Sequence, residues 1–575
     1  MGDASDGGVA QALPALTVLL RFAPYLTVSL LLAPIAAGLI GTLLPAFGIL
    51  PSLGGEHLSM EPWRALFATP GLMTSLRVTL SVGFGATLLS LVLAVGFCAL
   101  ASENRAFGAL QRGLAPLLAA PHVAMAIGFA FLTAPSGWIA RLISPELTGW
   151  DRPPALGAAR DSLGLSFAVG LVLKETPYLV LMMIGAAGQV ATRPMLASAR
   201  SMGYAPAVAW LKVVFPQIYR QIRLPVYAVL AFSLSVVEVA LILAPGTPPP
   251  LSVLALRWYT DYDLRLYFPA SAAATLQLVI IAAAIALWRF GEIAVARIGR
   301  LWVERGIRSG MASGLTAIAG GTAAISGILG LMSLVALLIW SLAQEWRFPD
   351  SLPSRWTFAT WIAQASDITA PLITTVVIGM GSSLFALVLA LACLENEQRR
   401  SLHPGSRALW LLYLPLIVPQ IAFLFGVQVM LVRWNADATL LAVIWTHLLF
   451  VLPYVFLALA DPYRKLDPRY SRIAAALGSS PARTFFTVKL PILLRPALIA
   501  LAVGFAVSVG QYLPTLFAGG GRVATLTTEA VTLSSGADRR ITGIYAALQS
   551  LLPLLAYGLA LAVPALVFRK RQGLR

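Results

Sequence analysis

The chain has 575 residues, of which 58% are hydrophobic and 11% are charged, and its mean hydropathy is +0.82. An ordinary soluble domain carries roughly 25% charged residues, so this composition excludes a soluble multi-domain protein. The net charge of +17 would suit a nucleic-acid partner only if the 41 Lys and Arg residues were gathered in one patch.

Apolar runs recur along the whole chain, and each exceeds the ~18 residues that mark a membrane-spanning helix. Helices satisfy their own backbone groups in lipid, so we expect an all-α polytopic membrane protein with about twelve transmembrane helices. The spans predicted in the first half are 25–50, 72–101, 109–133, 162–190, 222–244 and 268–290. The spans predicted in the second half are 322–343, 371–394, 407–432, 438–460, 494–518 and 544–568.

The chain divides into two halves joined by a linker. An N-terminal tail over 1–24 precedes a first half over 25–290, and a second half covers 322–575. The segment 291–321 is first Arg-rich and then Gly- and Ser-rich, which is typical of a cytoplasmic linker. The tail carries Asp3 and Asp6 and no basic region, so the first apolar run is predicted to be a retained span rather than a cleaved signal.

The basic residues cluster in alternate loops. If the loops with the most Arg face the cytoplasm, that side carries 27 Lys and Arg residues, the other side carries 13, and Lys174 lies within a span. This bias over short loops is the positive-inside signature and places both termini in the cytoplasm. It accounts for the net charge without a nucleic-acid partner. The basic residues predicted on the cytoplasmic side are Arg21, Arg105, Arg112 and those within 193–223, 289–308, 399–407, 464–495 and 569–575.

The two halves resemble each other in sequence. The tetrapeptide LVLA at 91–94 recurs at 387–390, and Pro177-Tyr178 recurs as Pro453-Tyr454. The offset falls from 296 to 276 between these anchors, where an external loop near 137–161 faces a short one near Asn435. Corresponding spans run in the same order and direction, which predicts two parallel six-helix repeats related by an axis along the membrane normal.

The loop between the fourth and fifth spans of the second half is patterned as two short helices. Asp467 is a good N-cap before a helix that Gly478 ends, and Ser480 caps a second helix that Pro481 opens. Pro491 is then expected to interrupt the helix before the next span.

The first half repeats this pattern. Thr192 and Pro194 open a helix that Gly203 ends, Pro206 opens the next, and Pro216 is expected to stop it. In both copies Gly precedes Pro by 13 residues. One copy would be weak support in a chain with 47 Gly and 38 Pro residues, but two copies at equivalent positions make a strong signal.

These loops resemble the "EAA" loops of the permease subunits of ABC importers. The segment SRIAAALGSSPARTFFTVKLP matches well and LASARSMGYAPAVAWLKVVFP less well, because Ala and Arg replace the usual Glu and the first copy ends in Phe-Pro. The matching positions are Ala197, Ala199, Gly203 and Pro216 in the first copy and Arg472, Ala474, Gly478, Leu490 and Pro491 in the second. The resemblance covers nearly the whole chain, with type-1 transmembrane domains over about 70–290 and 370–568. It is closest to fused permeases of the iron(III) and thiamine branch.

The resemblance implies that each loop is a coupling helix docked on an ATPase subunit. Two such loops in one chain imply two ABC ATPase subunits, an external solute-binding protein as a further partner, and a location in the bacterial inner membrane. An alternative is that these basic loops only lie on anionic lipid. Adsorption to the lipid bilayer would require neither the Gly turn nor its identical placement in both halves.

The chain itself is predicted to be non-catalytic. It contains no Gly-Lys dipeptide and therefore no Walker A phosphate loop, so ATP would be hydrolysed by a partner subunit. Cys98 and Cys393 lie in apolar runs and indicate neither a disulfide nor a metal site, and no cofactor is predicted.

Several polar residues fall inside the predicted spans, where an unpaired charge costs ~2.5–3.5 kcal/mol. Each either bonds a neighbouring helix or lines the solute pathway. Glu238 and Gln511, at nearly equivalent repeat positions, could face each other across that pathway. The pathway candidates are Lys174, Glu175, Glu238, His447 and Gln511.

Two other classes of protein compete with the importer. A twelve-helix secondary transporter would need no ATPase, and a membrane-embedded enzyme would need catalytic groups clustered at one depth. The importer would work by alternating access. The sequence leaves the solute open among iron(III), thiamine, polyamine and sulfur oxyanions.

Overall fold

The computed structural model describes residues 6–102, 116–155, 160–402, 405–536 and 538–569. For residues 6–19 and 406–409 it describes the backbone alone. Arg105, Arg112 and residues 570–575, which contribute to the predicted cytoplasmic charge, lie outside the described residues, as do residues 1–5 of the tail. Helices form nearly all of the regular structure in the described ranges.

The first half contains long helices interrupted by short ones. In chain order they are α1 (Asp6–Ala46), α2 (Glu61–Ala68), α3 (Leu72–Ala101), α4 (His122–Thr133), α5 (Trp138–Leu142), α6 (Leu165–Ala187), α7 (Thr192–Ser201), α8 (Pro206–Ala209), α9 (Phe215–Ser235), α10 (Glu238–Leu243), α11 (Leu251–Tyr259) and α12 (Tyr267–Glu304). Short 3₁₀ turns occupy Pro51–Leu53 and Leu264–Leu266.

The second half repeats this order. It begins with α13 (Met311–Leu342), strands β1 (Ala343–Glu345) and β2 (Arg355–Trp356), α14 (Ala359–Ala363), α15 (Ala365–Arg399), α16 (Ser406–Ile417) and α17 (Gln420–Arg433). It continues with α18 (Leu440–Arg464), α19 (Pro468–Ala476), α20 (Pro481–Thr484), α21 (Leu490–Val509), α22 (Leu513–Gly519), α23 (Leu526–Leu533) and α24 (Arg539–Val567).

The all-α polytopic fold is confirmed, and the part of the chain that the structure describes accounts for ten or eleven of the about twelve predicted spans with helices of membrane length. Within the described residues, ten helices are long and apolar enough to cross a membrane, and the pair α16–α17, bent by 91°, makes eleven. The remaining predicted span, 222–244, is divided between α9 and α10. Helix α9 carries Arg220 and Arg223 in its first turns and ends before Val236, whose backbone is extended. In the third predicted span, residues 109–115 lie outside the described ranges.

The predicted linker is helical over most of its length. Helix α12 continues to Glu304 and α13 begins at Met311, which leaves 305–310 as the non-helical connection. We call this connection the linker turn. We call the end of the bundle that carries the linker turn and the loops 192–216 and 468–491 the basic side.

The repeat is visible in hydrogen bonds as well as in helix order. The Leu251 N–H donates to the Thr79 hydroxyl at 3.0 Å, and the Leu526 N–H donates to the Thr375 hydroxyl at 2.9 Å. These bonds tie α11 to α3 and α23 to α15, so the same backbone donor is satisfied in the same way in both halves. Residues 134–164 connect α4 to α6, whereas 434–439 connect α17 to α18, which is the loop-length difference predicted from the sequence.

The first helix of each half packs against the other half. Helix α1 lies against α15 and α17, and α13 lies against α3 and α4. Glycines make both crossings close: a Cβ at Gly426 would overlap the Gly38 carbonyl, and a Cβ at Gly128 would overlap the Ser333 carbonyl. The two halves therefore share one interior, in which small residues let helix backbones touch as in other membrane bundles.

On the side opposite the loops, the β1–β2 hairpin covers a buried arginine. Arg141 of α5, 3% exposed, donates to the carbonyls of Ser136, Trp346 and Arg347. Its guanidinium also lies 4.6 Å from the centre of the Trp346 ring. This contact fixes the first half to the segment that precedes α15.

Candidate functional site

Both basic-side loops form a helix, a glycine turn and a second helix. In the first loop α7 ends before Gly203, whose φ is +83°, and in the second α19 ends before Gly478, whose φ is +79°. This backbone conformation favours glycine because it has no Cβ. The predicted helix–glycine–helix pattern is therefore present in both copies.

The predicted caps are present in the second loop. The Asp467 carboxylate accepts the Arg469 N–H at 2.8 Å, and the Ser480 hydroxyl accepts the Arg483 N–H at 3.3 Å. In the first loop the residue before α7 is Ala191, which supplies no side-chain cap. The second copy is thus better specified by local sequence.

The prediction that Pro216 and Pro491 interrupt the helix is wrong. A π-helical turn over Trp210–Val214 leads into α9, and another over Phe485–Lys489 leads into α21. In these turns the Phe215 N–H donates five residues back to Trp210, and the Leu490 N–H donates to Phe485. The wider turn relieves the clash between a proline ring and the carbonyl four residues earlier, so the helix continues.

The matching positions of the motif fall into exposed and buried sets. Ala197 and Arg472, where the usual Glu would stand, are exposed, whereas Ala199 and Ala474 are buried. The turn glycines and Pro216 are exposed, and Leu490 and Pro491 are half-buried. Each first helix therefore presents one face to the surroundings and another to the bundle.

Three exposed apolar side chains line one face of α19 and the residue after it, beside the exposed Arg469 and Arg472. Tyr470, Ile473 and Leu477 are 49%, 60% and 82% exposed and recur at helical spacing along one face. At the equivalent positions of the first loop stand Met195, Ser198 and Met202, of which Met202 is 53% exposed. The second loop thus carries the larger apolar surface.

The linker turn holds the first loop in place. Lys212 donates to the carbonyls of Trp302 at 2.9 Å and Ile307 at 2.8 Å, and the Ala205 N–H donates to the Arg308 carbonyl at 2.7 Å. The Lys212 ammonium lies 4.6 Å from the centre of the Trp302 ring. The linker turn, which follows α12 at the end of the first half, is thus bound to the first loop.

A buried ionic cluster holds the second loop. Lys489, in the π turn, donates to Glu395 at 2.8 Å and to Gln398 at 2.8 Å. Arg399 pairs with the same carboxylate at 2.6 Å, and the Tyr463 hydroxyl donates to it. Sequence reasoning missed this cluster, although the charged run at the end of the span before Arg399 was a signal.

Lys174 bonds to the backbone rather than to a side chain. Its ammonium donates to the carbonyls of Leu117, Leu118 and Ala120 at 2.7, 2.9 and 2.5 Å. These carbonyls end the helical segment 116–119, just before Pro121 starts the turn into α4. All three donors of the lysine are therefore used to close a helix end.

Glu175 pairs with His122, the first residue of α4. Its carboxylate lies 3.2 Å from His122 Nε2, and the His122 ring lies 4.6 Å from that of Phe232 in α9. Tyr178 and its repeat partner Tyr454 are both within electrostatic range of this carboxylate. Side chains from both halves therefore lie near the start of α4.

Glu238 and Gln511 both lie where a helix is broken. Glu238 is the first residue of α10, and Gln511 lies between α21 and α22. With the offset of 275 that relates the two loops, Glu238 corresponds to Leu513 and not to Gln511. Glu238 is instead within electrostatic range of Tyr512, next to Gln511.

Both helix breaks lie beside the start of α4. Gly510 lies beside Pro121, which precedes His122. Helix α10 packs against α4, whose first residue is His122. Both breaks therefore lie near the start of α4, while the expectation that Glu238 and Gln511 face each other across the pathway stays a prediction.

His447 connects the two sides of the second break. Its Nδ1 lies 2.7 Å from the Ser508 hydroxyl of α21, and its Nε2 lies 2.9 Å from the Thr515 hydroxyl of α22. The residue is 1% exposed. Its contacts are those of a bond between helices.

The chain is similar to a known protein over almost its full length. The chain is 32% identical over 530 residues to the inner membrane ABC transporter permease protein YnjC of Escherichia coli (strain K12), which covers 90% of this chain and 93% of that protein. No family model matches the chain.

Shorter similarities cover about 30% of the chain. A spermidine/putrescine transport system permease protein PotC homolog of Mycoplasma genitalium is 27% identical over 30% of this chain and 61% of that protein. A 2-aminoethylphosphonate transport system permease, PhnV, of Salmonella typhimurium (strain LT2) is 25% identical over 31% of this chain and 68% of its own length.

Proposed function

The chain belongs to the permease subunits of ABC transporters, and from this we propose that it forms the membrane pathway of an ATP-driven importer. It is a multi-pass membrane protein, and the relatives favour this family over a twelve-helix secondary transporter. An external binding protein delivers a small solute, and separate ATPase subunits hydrolyse ATP.

The observation that carries the proposal is the pair of basic-side loops. Each consists of a helix, a turn at a glycine with positive φ and a second helix that continues into the bundle. The continuous helix gives a rigid connection from the loop surface to the helix breaks near the start of α4. Such a connection suits a part that passes motion of an ATPase to the pathway.

Two loops in one chain support one permease chain with two ATPase subunits. The basic side then faces the cytoplasm, as the bias of Lys and Arg predicts, and both termini lie there. The hairpin and Arg141 then lie on the outer side, where the binding protein would dock.

The pathway runs past the start of α4, near which both helix breaks lie. Glu175, Glu238, Gln511 and the tyrosines near them are the candidates for solute contact. Lys174 and His447 are more easily explained as bonds between helices, because their donors or ring nitrogens are engaged by the backbone and by hydroxyls.

The solute class is proposed only as a small molecule. The resemblance of the sequence to the iron(III) and thiamine branch stays a prediction, whereas the names of two partial relatives refer to spermidine, putrescine and 2-aminoethylphosphonate. The full-length relative carries no solute in its name.

The test is purification of the tagged chain from native membranes in mild detergent, with mass spectrometry and an ATPase assay. We expect an ATPase at two copies per chain. Changing Ile473 and Leu477 to Asp should lower the recovered ATPase, while Leu58→Asp, at an equally exposed leucine on the opposite side, should not. A chain recovered without ATPase in several detergents would overturn the proposal.

A further inference from the structure

The tips of the two loops are covered differently. The nearest atoms to a Cβ at Gly203 would be those of the Arg308 side chain at 3.7 Å, whereas a Cβ at Gly478 would have open space around it. The linker turn therefore lies over the first tip. In the part of the chain that the structure describes, no neighbouring atom lies within 4 Å of that position on the second tip.

The linker turn is fixed on the first loop by specific contacts. Arg308 accepts the Ala205 N–H through its carbonyl, and its guanidinium lies 5.9 Å from the centre of the Tyr204 ring. The Lys212 ammonium donates to the backbone carbonyls of Trp302 and Ile307. With two backbone carbonyls bound by one ammonium, the segment keeps a defined position beside the Gly203 turn.

The linker turn also adds exposed side chains beside the first tip. Arg305, Ile307 and Arg308 are exposed, with Ile307 44% exposed. The face of the first loop is otherwise poor in apolar side chains, because Ser198 stands where the second loop has Ile473. A partner reaching the first tip meets Arg305, Ile307 and Arg308 of the linker turn. A partner reaching the second tip meets the three apolar side chains of that loop beside its exposed Arg469 and Arg472.

We propose that the two ATPase docking surfaces are chemically different, and that the linker turn Arg305–Gly310 is part of the first one. This inference rests on the proposed function, since the occupant of both surfaces is an ATPase subunit. The second surface is the apolar face of α19. The first is a composite of α7, the Gly203 turn and the linker turn, so the connection between the halves also serves as a contact with the ATPase.

The surfaces predict different sensitivities. Apolar surface removed from water supplies much of the energy of a docked helix, so acidic substitutions on α19 should weaken docking by on the order of tenfold or more. On the first loop the same change at Met202 should weaken docking less, because Met202 is less exposed than Leu477 and Ser198 stands where the second loop has Ile473. Arg305→Glu with Arg308→Glu should weaken docking at the first tip, because it reverses two exposed charges there. The linker turn itself should stay in place, since the Arg308 carbonyl that accepts the Ala205 N–H is kept.

The experiment places a photo-crosslinking amino acid in the full chain and purifies it with its ATPase. Positions 477, 305, 202 and 58 are compared one at a time. We expect crosslinks to the ATPase from 477 and 305 and none from 58, which lies on the opposite side. A crosslink from 477 and 202 without one from 305 would overturn the inference while leaving the proposed function intact.

Copy number gives a second readout. Ile473→Asp with Leu477→Asp should reduce the recovered ATPase from two copies to one, and Arg305→Glu with Arg308→Glu should do the same through the other loop. Leu58→Asp, on the opposite side, should leave two copies. If Met202→Asp and Leu477→Asp lower recovery equally, the surfaces are alike and the inference fails. If 477 gives no crosslink and the unmodified chain carries no ATPase, the proposed function itself fails.

Discussion

Single side chains close the ends of interrupted helices in this protein. Lys174 binds the three carbonyls that end the segment before Pro121, and His447 joins the two helices that flank the break at Gln511. Broken helices leave backbone groups without partners in a medium where water cannot replace them. Buried polar residues in the spans are therefore explained first by what they bond.

Replacing Lys174 tests this role. Lys174→Met leaves three buried carbonyls without their donor, so we expect the purified chain to lose about 1–3 kcal/mol of stability. Thermal unfolding in detergent measures the loss. Lys465→Met, at a 70% exposed lysine paired with Asp461, is the control and should change stability by less than about 0.5 kcal/mol. Equal effects of the two changes would contradict the role.

The turn glycines give a second prediction. Gly203→Val or Gly478→Val forces a β-branched residue into the left-handed region, which costs about 1–2 kcal/mol and distorts the turn. We expect solute uptake to be lost while membrane insertion is kept, as measured in membrane vesicles. Gly54→Val is the matched control, because Gly54 has a φ of +78° and open space but lies on the opposite side. Undiminished uptake in both loop variants would contradict the coupling role.

At the scale of elements, each loop is anchored to a different partner. The first is held by the linker turn and the second by the Glu395 cluster at the end of α15. The two clusters use residues that do not correspond in the repeat. The symmetry of the helix order thus does not extend to how the loops are fixed.

The Glu395 cluster predicts strong coupling between Lys489 and Glu395. Lys489→Met leaves a buried carboxylate with one cation fewer, and we expect a loss on the order of 3 kcal/mol in stability. Adding Glu395→Gln should recover part of it, giving a coupling energy of about 0.5–3 kcal/mol in thermal unfolding. The exposed pair Lys465 and Asp461 serves as the control cycle, with coupling near 0–1 kcal/mol. Additive effects at Lys489 and Glu395 would refute the cluster.

Local sequence signals predicted part of these elements. Caps, glycine turns and helix starts in the loops followed from Asp467, Ser480 and Gly478, because these residues act on their own backbone. The π turns before Pro216 and Pro491 could not be read in this way, since whether a proline stops a helix depends on how the wider turn packs. The partners of Lys174 and Glu395 were also hidden, because they lie on helices distant in sequence.

At the scale of the whole molecule, the repeat predicted the parallel order of the halves. It did not predict that the first helix of each half packs against the other half, which we call the crossing. Nothing in the pattern of apolar residues says whether a helix packs against its own half. The crossing depends on the close approach of Gly38 to Gly426, and on the matching approach of Gly128 to Ser333. Glycine in a membrane helix has several uses, so its partner is not determined by sequence spacing.

The crossing predicts that the halves hold together without a covalent link. A chain cut between Ser309 and Gly310 keeps the linker turn with the first loop, so we expect the two fragments to copurify and to retain ATPase coupling. A cut between Glu304 and Arg305 should also give copurifying fragments but with weaker coupling, because it separates Trp302 from Ile307. Co-expression, affinity purification and an ATPase assay measure both properties. Fragments that do not copurify after either cut would contradict the shared interior.

The crossing of α1 also sets the order in which the chain can mature during synthesis. Gly38 cannot pack against Gly426 until Gly426 has been synthesised. At ~5–20 residues per second, translation from one glycine to the other takes roughly 20–80 seconds. During that time the glycine face of α1 contacts lipid or a component of the insertion machinery. Completion of the first half is therefore a late event, timed by translation of the second.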